Sequence, residues 1–305
     1  MPMLLLEILR RSDRLGPLSV HYISALDKYR RTVELAAKVS HLLDSAGIPH
    51  AIIKSIRPYV SPSEDIDVLI FSDTDYTQAV HLIGNEFKKS HPLMRIGPES
   101  IHFRNHDVMI DLYREVAASR FVYLAKERLR PFVYRKELPN GLAASILKPE
   151  ADLTLLLAHS VIKEQMYTLS EFYSTLFYLV AMDKRQMEAF QDIVGRSGLK
   201  RAAAAHMVLS LFLHKSAFGI VPDRLVSVVH SLPGNSFEKR RLAVNQFWTP
   251  HKFHPLTVLE ALLEELAKER VARRSIVAQA ISHTSFRFSA KVLSQLVSYL
   301  RRETY

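Results

Sequence analysis

The spacing of apolar residues changes once along this chain, and that change limits the fold more than any other feature. Up to Leu147 the apolar residues switch between a helical spacing of three to four and a strand spacing of two. From Glu150 to Tyr305 nearly every segment repeats at helical spacing, with breaks at Gly, Pro and Ser. A spacing of two lines one face of a sheet, whereas a spacing of 3.6 lines one stripe of a helix. The sequence therefore predicts an α/β (α+β) protein. A small mixed-sheet domain with N-terminal helices occupies residues 1–147, and an all-helical domain occupies residues 148–305.

Within the first half, "YRRTVELAAKVSHLLDSAGI" predicts an amphipathic helix on Val33, Leu35, Val39, Leu42 and Leu43, with Gly47 placed to end it. "PHAIIKS" is a short β run, and a loop with Pro58 and Pro62 leads into a second one, "SEDIDVLIF". "SDTDYTQAVHLIGNEFKK" predicts a helix whose caps lie in Ser72–Thr74. "SIHFRNH" and "DVMIDLYREV" follow as β runs separated by a turn at Asn105 and His106. That order places helices on one face of a mixed sheet. The second half predicts helices from "ADLTLLLAHSVIKEQM" through to "SAKVLSQLVSYLRR".

"SEDIDVLIF" contains an anomaly. Ile66, Val68 and Ile70 form its buried face, which leaves Asp65 and Asp67 together on the other, in a strand where Asp is among the most depleted residues. Their Cα atoms are only about 7 Å apart. A lone D-x-D is more often a pair of solvated carboxylates at a strand edge. In "VMIDLYREV", however, Val108, Ile110 and Leu112 take the buried face and leave Asp111 on the same side as the other two. Three acids with no Lys or Arg at alternate positions beside them suit hard divalent cations with oxygen ligands. Two such ions, about 3.5 to 4 Å apart, serve in-line phosphoryl or nucleotidyl transfer. On this view metal, not protein, is the partner of the acids, and Asp67→Asn relieves repulsion and raises the metal-free melting temperature.

Composition narrows the chemistry further. The 305 residues include no Cys, so disulfides, thiolate metal sites and thiol nucleophiles are excluded, and any reaction falls to carboxylates, His, hydroxyls, Lys or Arg. A formal charge of +10 predicts anionic partners: a nucleotide polyphosphate, nucleic acid or an acidic protein. No apolar run approaches the roughly 18 residues of a membrane span, and "MPMLLLEILRRSDR" is interrupted by Glu7, so a cytoplasmic protein is expected. The lack of Cys and the few Gly tilt the composition towards a thermophile.

The series helix, "AIIKS", proline-bearing loop, "SEDIDVLIF", helix and "VMIDLYREV" resembles the DNA polymerase β type nucleotidyltransferase superfamily. Within it, the chain is most similar to the largely uncharacterised group that has an apolar-Lys-Gly strand end, a D-I-D strand, an I-D-L-H-W type strand and a His-bearing helix in an all-helical C-terminal part. The resemblance spans roughly Tyr29 to Leu179. It implies that Asp65 and Asp67 hold Mg²⁺ (or Mn²⁺) against the phosphates of a nucleoside triphosphate. It also implies that Asp111 completes the second metal site and activates the acceptor hydroxyl. Ser55 stands where the family usually has Gly, a departure that either offers a hydroxyl to the phosphates or weakens nucleotide binding. Most relatives carry an Arg just ahead of the D-x-D strand; here Lys54 and Arg57 are the nearest basic substitutes. His159 matches the family's His, although a His on an apolar helix is more often a core residue than a catalyst.

Other features invite bland explanations. His251 and His254 in "TPHKFHP" lie in a Pro-bounded loop. The basic clusters Lys239–Arg241, Lys268 with Arg270–Arg274, and Arg301–Arg302 read as solvated helix ends before they read as a phosphate track. Tyr167, Phe172, Tyr173, Phe177 and Tyr178 read as packing. The leading expectation is a transferase that moves a nucleoside monophosphate to an acceptor bound between the two domains, with an RNA end or an acidic protein surface suiting its charge. The alternatives are a catalytically weakened, antitoxin-like nucleotide-binding regulator of the same fold, or a non-enzymatic nucleic-acid-binding protein whose binding ignores Mg²⁺.

Overall fold

The computed structural model describes residues 2–90, 100–105, 108–118, 120–234, 236–244 and 248–282. The helix expected over "SAKVLSQLVSYLRR", the pair Arg301–Arg302 and His106 of the expected turn lie outside the described residues. In chain order the elements are α1 (Pro2–Arg11), α2 (Ser19–Ser45), β1 (His50–Ile53), β2 (Asp65–Ile70), α3 (Asp73–Glu86), β3 (Lys88–Ser90), β4 (Ser100–Asn105) and β5 (Val108–Tyr113). They continue with β6 (Val116–Ala118), β7 (Phe121–Leu124), α4 (Lys126–Leu129), β8 (Val133–Glu137) and β9 (Ala143–Leu147). The helical part contains α5 (Pro149–Ala158), α6 (Leu169–Ala181), α7 (Lys184–Arg196), α8 (Lys200–Phe218), α9 (Asp223–Ser231), α10 (Ser236–Val244), α11 (Pro255–Lys268) and α12 (Arg270–Ser282). A mixed α/β sheet followed by a helical C-terminal part is thus the fold class, as the change of period predicts.

The chain forms two compact units and passes between them more than once. Residues before 91, 100–105, 108–115 and Leu129–Lys148 make the first; Val116–Arg128 and the residues from Pro149 make the second. In the first unit, seven strands form one mixed sheet in the order β3-β4-β5-β2-β1-β9-β8. Pairing is parallel between β2 and β5 and between β1 and β9, and antiparallel elsewhere.

One face of this sheet carries the core. Ile52, Ile66, Val68, Ile70, Ile110, Leu112 and Ile146 pack with Val33, Leu35, Val39 and Leu43 of α2 and with Tyr76, Ala79 and Ile83 of α3. Local chemistry sets the start of α3 and the end of α2. Ser72 caps α3 by accepting a hydrogen bond from the Asp75 amide, and Gly47 follows α2 at φ +67°, a left-handed conformation that glycine adopts without strain.

In the second unit α5 is buried on every side from Glu150 to Ala158, the pattern of a helix at the centre of a bundle. It contacts α6, α7 and α8, and it widens at its end into a π-turn over His159–Lys163. The hairpin of β6 and β7 packs with α12 in the same unit. Capping boxes start α6 (Thr168 with Glu171) and α7 (Asp183 with Gln186). Among the described residues no helix is long and apolar enough to cross a membrane.

Ile110 lies in β5 with no exposed surface. Truncation to Ala leaves a cavity in a close-packed layer, so Ile110→Ala should lower the unfolding free energy by about 2–5 kcal/mol in urea titration with an unchanged m-value.

Candidate active site

Strand register assembles the site. His102 of β4 stands opposite Asp111 of β5, Asp111 opposite Asp67 of β2, and Asp67 opposite Ile53 of β1. Residues paired across a ladder project to the same face, so this row lies on the side of the sheet away from α2 and α3. Asp65, two residues before Asp67, joins it. One carboxylate oxygen from each of Asp65, Asp67 and Asp111 lies within 4.8 Å of the others. Asp67 and Asp111 are 5% and 6% exposed, and Asp65 is half-buried.

Here the structure corrects the expectation that the acids have no basic neighbour. The Lys54 ammonium lies 2.7 Å from Asp67 Oδ2. Strict alternation from Ile53 would send the Lys54 side chain to the helix-covered face. Lys54 instead takes φ +58°, which breaks the alternation and brings its side chain round to the carboxylates. Its ammonium also lies 5.3 Å from the centre of the Tyr113 ring, within cation–π range.

Sequence reading also missed His102, whose Nδ1 is 2.5 Å from Asp111 Oδ1 while the Ser100 hydroxyl lies 3.3 Å from its Nε2. A carboxylate only accepts, so Nδ1 carries the donated proton. The signal that finds His102 is hairpin register. Asn105 pairs with Val108, which puts residue 102 against 111, whereas a turn at Asn105 and His106 would have put Ser100 there.

Two features show what remains unsatisfied. Burial pushes the Asp65 carboxyl up to about 6, with repulsion from Asp67 and Asp111 adding to the shift and Lys54 opposing it. Asp67 Oδ1 is buried without a hydrogen-bond partner. A donor set of carboxylate oxygens, one of them orphaned, fits a hard divalent cation, with Asp65, Asp67 and Asp111 as its holders.

The other residues singled out in the sequence divide. Ser55 closes the turn after β1, but its hydroxyl points inward: it donates to the Ile53 carbonyl at 3.0 Å and accepts from the Asp67 amide at 2.9 Å. It therefore pins β2 at Asp67 through both hydrogen bonds. Arg57 is half-buried in the loop that follows. His159 belongs to the second unit, with Nδ1 3.1 Å from the Tyr123 hydroxyl and Nε2 3.6 Å from Glu164.

His251 is not in an open loop. It is buried in a two-residue strand, and its Nε2 lies 3.0 Å from Glu238 Oε2, while His254 caps α11. That contact lowers the Glu238 carboxyl pKa despite burial. Arg273 donates to the Leu266 and Ala267 carbonyls at the end of α11, as a helix C-terminus favours. The aromatic stripe packs in part: Tyr167, Phe172 and Tyr178 are buried, with the Tyr167 hydroxyl meeting Ser210, whereas Tyr173 is half-buried and Phe177 is exposed.

The sequence matches no family model and no curated protein. Two solved structures are loosely similar. An antigenic nucleotidyltransferase-like protein from Paracoccidioides brasiliensis has 13% identity and a TM-score of 0.38 over 71% of this chain and 98% of its own. The antibiotic-resistance factor ANT(2'')-Ia has 11% identity and a TM-score of 0.32 over 70% of this chain and 95% of its own. Likenesses of that size assign neither activity nor substrate to this chain.

The two aspartates of β2 should respond oppositely to mutation. Asp65 binds its proton more tightly folded than unfolded, so between pH 4 and about 6 the native state holds more protons and stability falls as pH rises. Asp65→Asn should flatten that fall and stabilise the metal-free protein above pH 6 by roughly 1–3 kcal/mol. Asp67→Asn should instead destabilise it by about 1–3 kcal/mol, because the Lys54 ammonium, its side chain 11% exposed, then loses its nearest counter-charge. Thermal melts of both variants across this pH range, without added metal, check the pair of signs.

Proposed function

We propose that this protein is a Mg²⁺-dependent nucleotidyltransferase that moves a nucleoside monophosphate from a nucleoside triphosphate to an acceptor hydroxyl. The observation that carries this is three carboxylates within 4.8 Å on one sheet face, with Asp67 Oδ1 buried and unpartnered. Divalent ions held by Asp65, Asp67 and Asp111 would supply charge neutralisation at the triphosphate and activation of the attacking oxygen.

The chain's own residues do the rest. Asp111, oriented by His102, takes the proton of the acceptor hydroxyl. As the new oxygen–phosphorus bond forms at the α-phosphate, the bond to pyrophosphate breaks. Lys54 and Arg57 lend positive charge to the triphosphate, and Ser55 keeps Asp67 in register. The net charge of +10 favours an anionic acceptor, an RNA end or an acidic protein surface, over a polycation.

A second reading, an antitoxin-like regulator that binds nucleotide without transferring it, draws on Lys54 standing against Asp67 and on the inward Ser55 hydroxyl. Incubation with each of the four α-labelled nucleoside triphosphates and Mg²⁺, followed by separation of RNA, protein and small molecules, separates the two. We expect label in the RNA or protein fraction, lost by at least about 100-fold in Asp111→Asn and weakened steeply as salt rises through the physiological range. Nucleotide binding with no label in any fraction would leave the regulator as the function.

A further inference from the structure

The most unusual group at the site is Lys54. It is one of three non-glycine residues with positive φ among the described residues, and its side chain and that of Asp67 are only 11% and 7% exposed. A lysine held in that conformation with its ammonium in a carboxylate cluster needs its surroundings to hold it there. The cluster does so. Its three carboxylates lie within 4.8 Å of one another, and Lys54 supplies a positive charge against the most buried of them.

We propose that Lys54 is a resident counter-ion of the carboxylate cluster, exchanged for a divalent cation when a nucleoside triphosphate arrives, its ammonium passing from Asp67 to the triphosphate. This rests on the reading above. Charge balance supports it. Three carboxylates and one ammonium sum to −2, which one divalent ion neutralises. Two divalent ions beside Lys54 would leave +2, which only a polyanion offsets.

The geometry provides a route. Asp67 Oδ1 has no partner, so an incoming cation finds an oxygen that Lys54 does not occupy. The Tyr113 ring lies beside the ammonium, and the four-carbon stem of lysine lets the charge move over it without moving the backbone. Because lysine and metal compete for one carboxylate, the cation alone should bind weakly. A triphosphate that draws Lys54 away should strengthen cation binding, and by linkage the cation should strengthen nucleotide binding equally.

The test is titration of the full chain with Mn²⁺, reading the unbound ion by electron paramagnetic resonance, with and without α,β-methylene-ATP and with a nucleotide-only blank subtracted. Wild type is compared with Lys54→Met and with Lys54→Gln, which keeps a hydrogen-bonding group beside Asp67 should the Met variant fold poorly. We expect either variant to bind Mn²⁺ alone about tenfold more tightly than wild type, and the analogue to tighten Mn²⁺ binding at least about fivefold in wild type but not in the variants.

Variants that bind Mn²⁺ no more tightly than wild type, while wild type binds Mn²⁺ with the analogue, would overturn the exchange and leave the transferase reading standing. So would tighter variants beside a wild type that shows no effect of the analogue. Failure of all three proteins to bind Mn²⁺, with or without nucleotide, would overturn the transferase reading and the exchange with it.

Discussion

The site depends on the parallel pairing of β2 with β5. That ladder sets Asp67 opposite Asp111, and nothing local to either strand requires it. A slip of one residue would turn the acids of one strand towards α2 and α3, into a layer where Ile66, Val68, Ile110 and Leu112 are fully buried. A carboxylate buried there without a partner would be strongly destabilising, and no apolar packing in the layer could offset it. The apolar face thus enforces the register, and the register enforces the cluster. Core and site are two faces of one constraint.

On the other face the chain manages three close negative charges with the means at hand. The ion pair of Lys54 with Asp67 and the hydrogen bond from His102 to Asp111 give two of the acids a close partner, while Asp67 Oδ1 stays unpartnered. Asp65 accepts from the Ser63 hydroxyl at 3.3 Å, a longer contact than those of the other two acids, and it is the one whose carboxyl is pushed upwards. The unevenness is physical: burial and the repulsion of its two neighbours fall on the acid with the weakest partner.

The second unit solves a different problem. Its polar groups in the core are internally matched, with His206 held between Ser160 and Thr175 and Glu238 held by His251, Thr257 and the His254 amide. Burial keeps His206 neutral by lowering its pKa to about 3. Glu265 is not matched: both its oxygens are buried without a partner, as is the Ser197 hydroxyl, and desolvation raises the Glu265 pKa to about 9, so it sits protonated in the core at neutral pH. These histidines and acids serve packing, which is why His251 and His254 carry no sign of a metal site despite their spacing.

The sequence by itself determined the class of fold and the identity of the three acids. A spacing of two around Asp65, Asp67 and Asp111 is a local property of extended chain, so their common face follows from Ile66, Val68, Ile110 and Leu112 alone. Helix ends at Ser72 and Gly47 were legible for the same reason, since caps act over a few residues. Only the tertiary structure decided what stands beside the acids. Lys54 reaches them because one backbone torsion leaves the strand region, and His102 because the hairpin closes one residue later than a turn at Asn105 and His106 would, which moves the residue opposite Asp111 from Ser100 to His102. Ser55 turned inward because the Asp67 amide, twelve residues on, was within reach. Each is a contact across strands, set by register and torsion, and neither quantity is carried by the pattern of residue types.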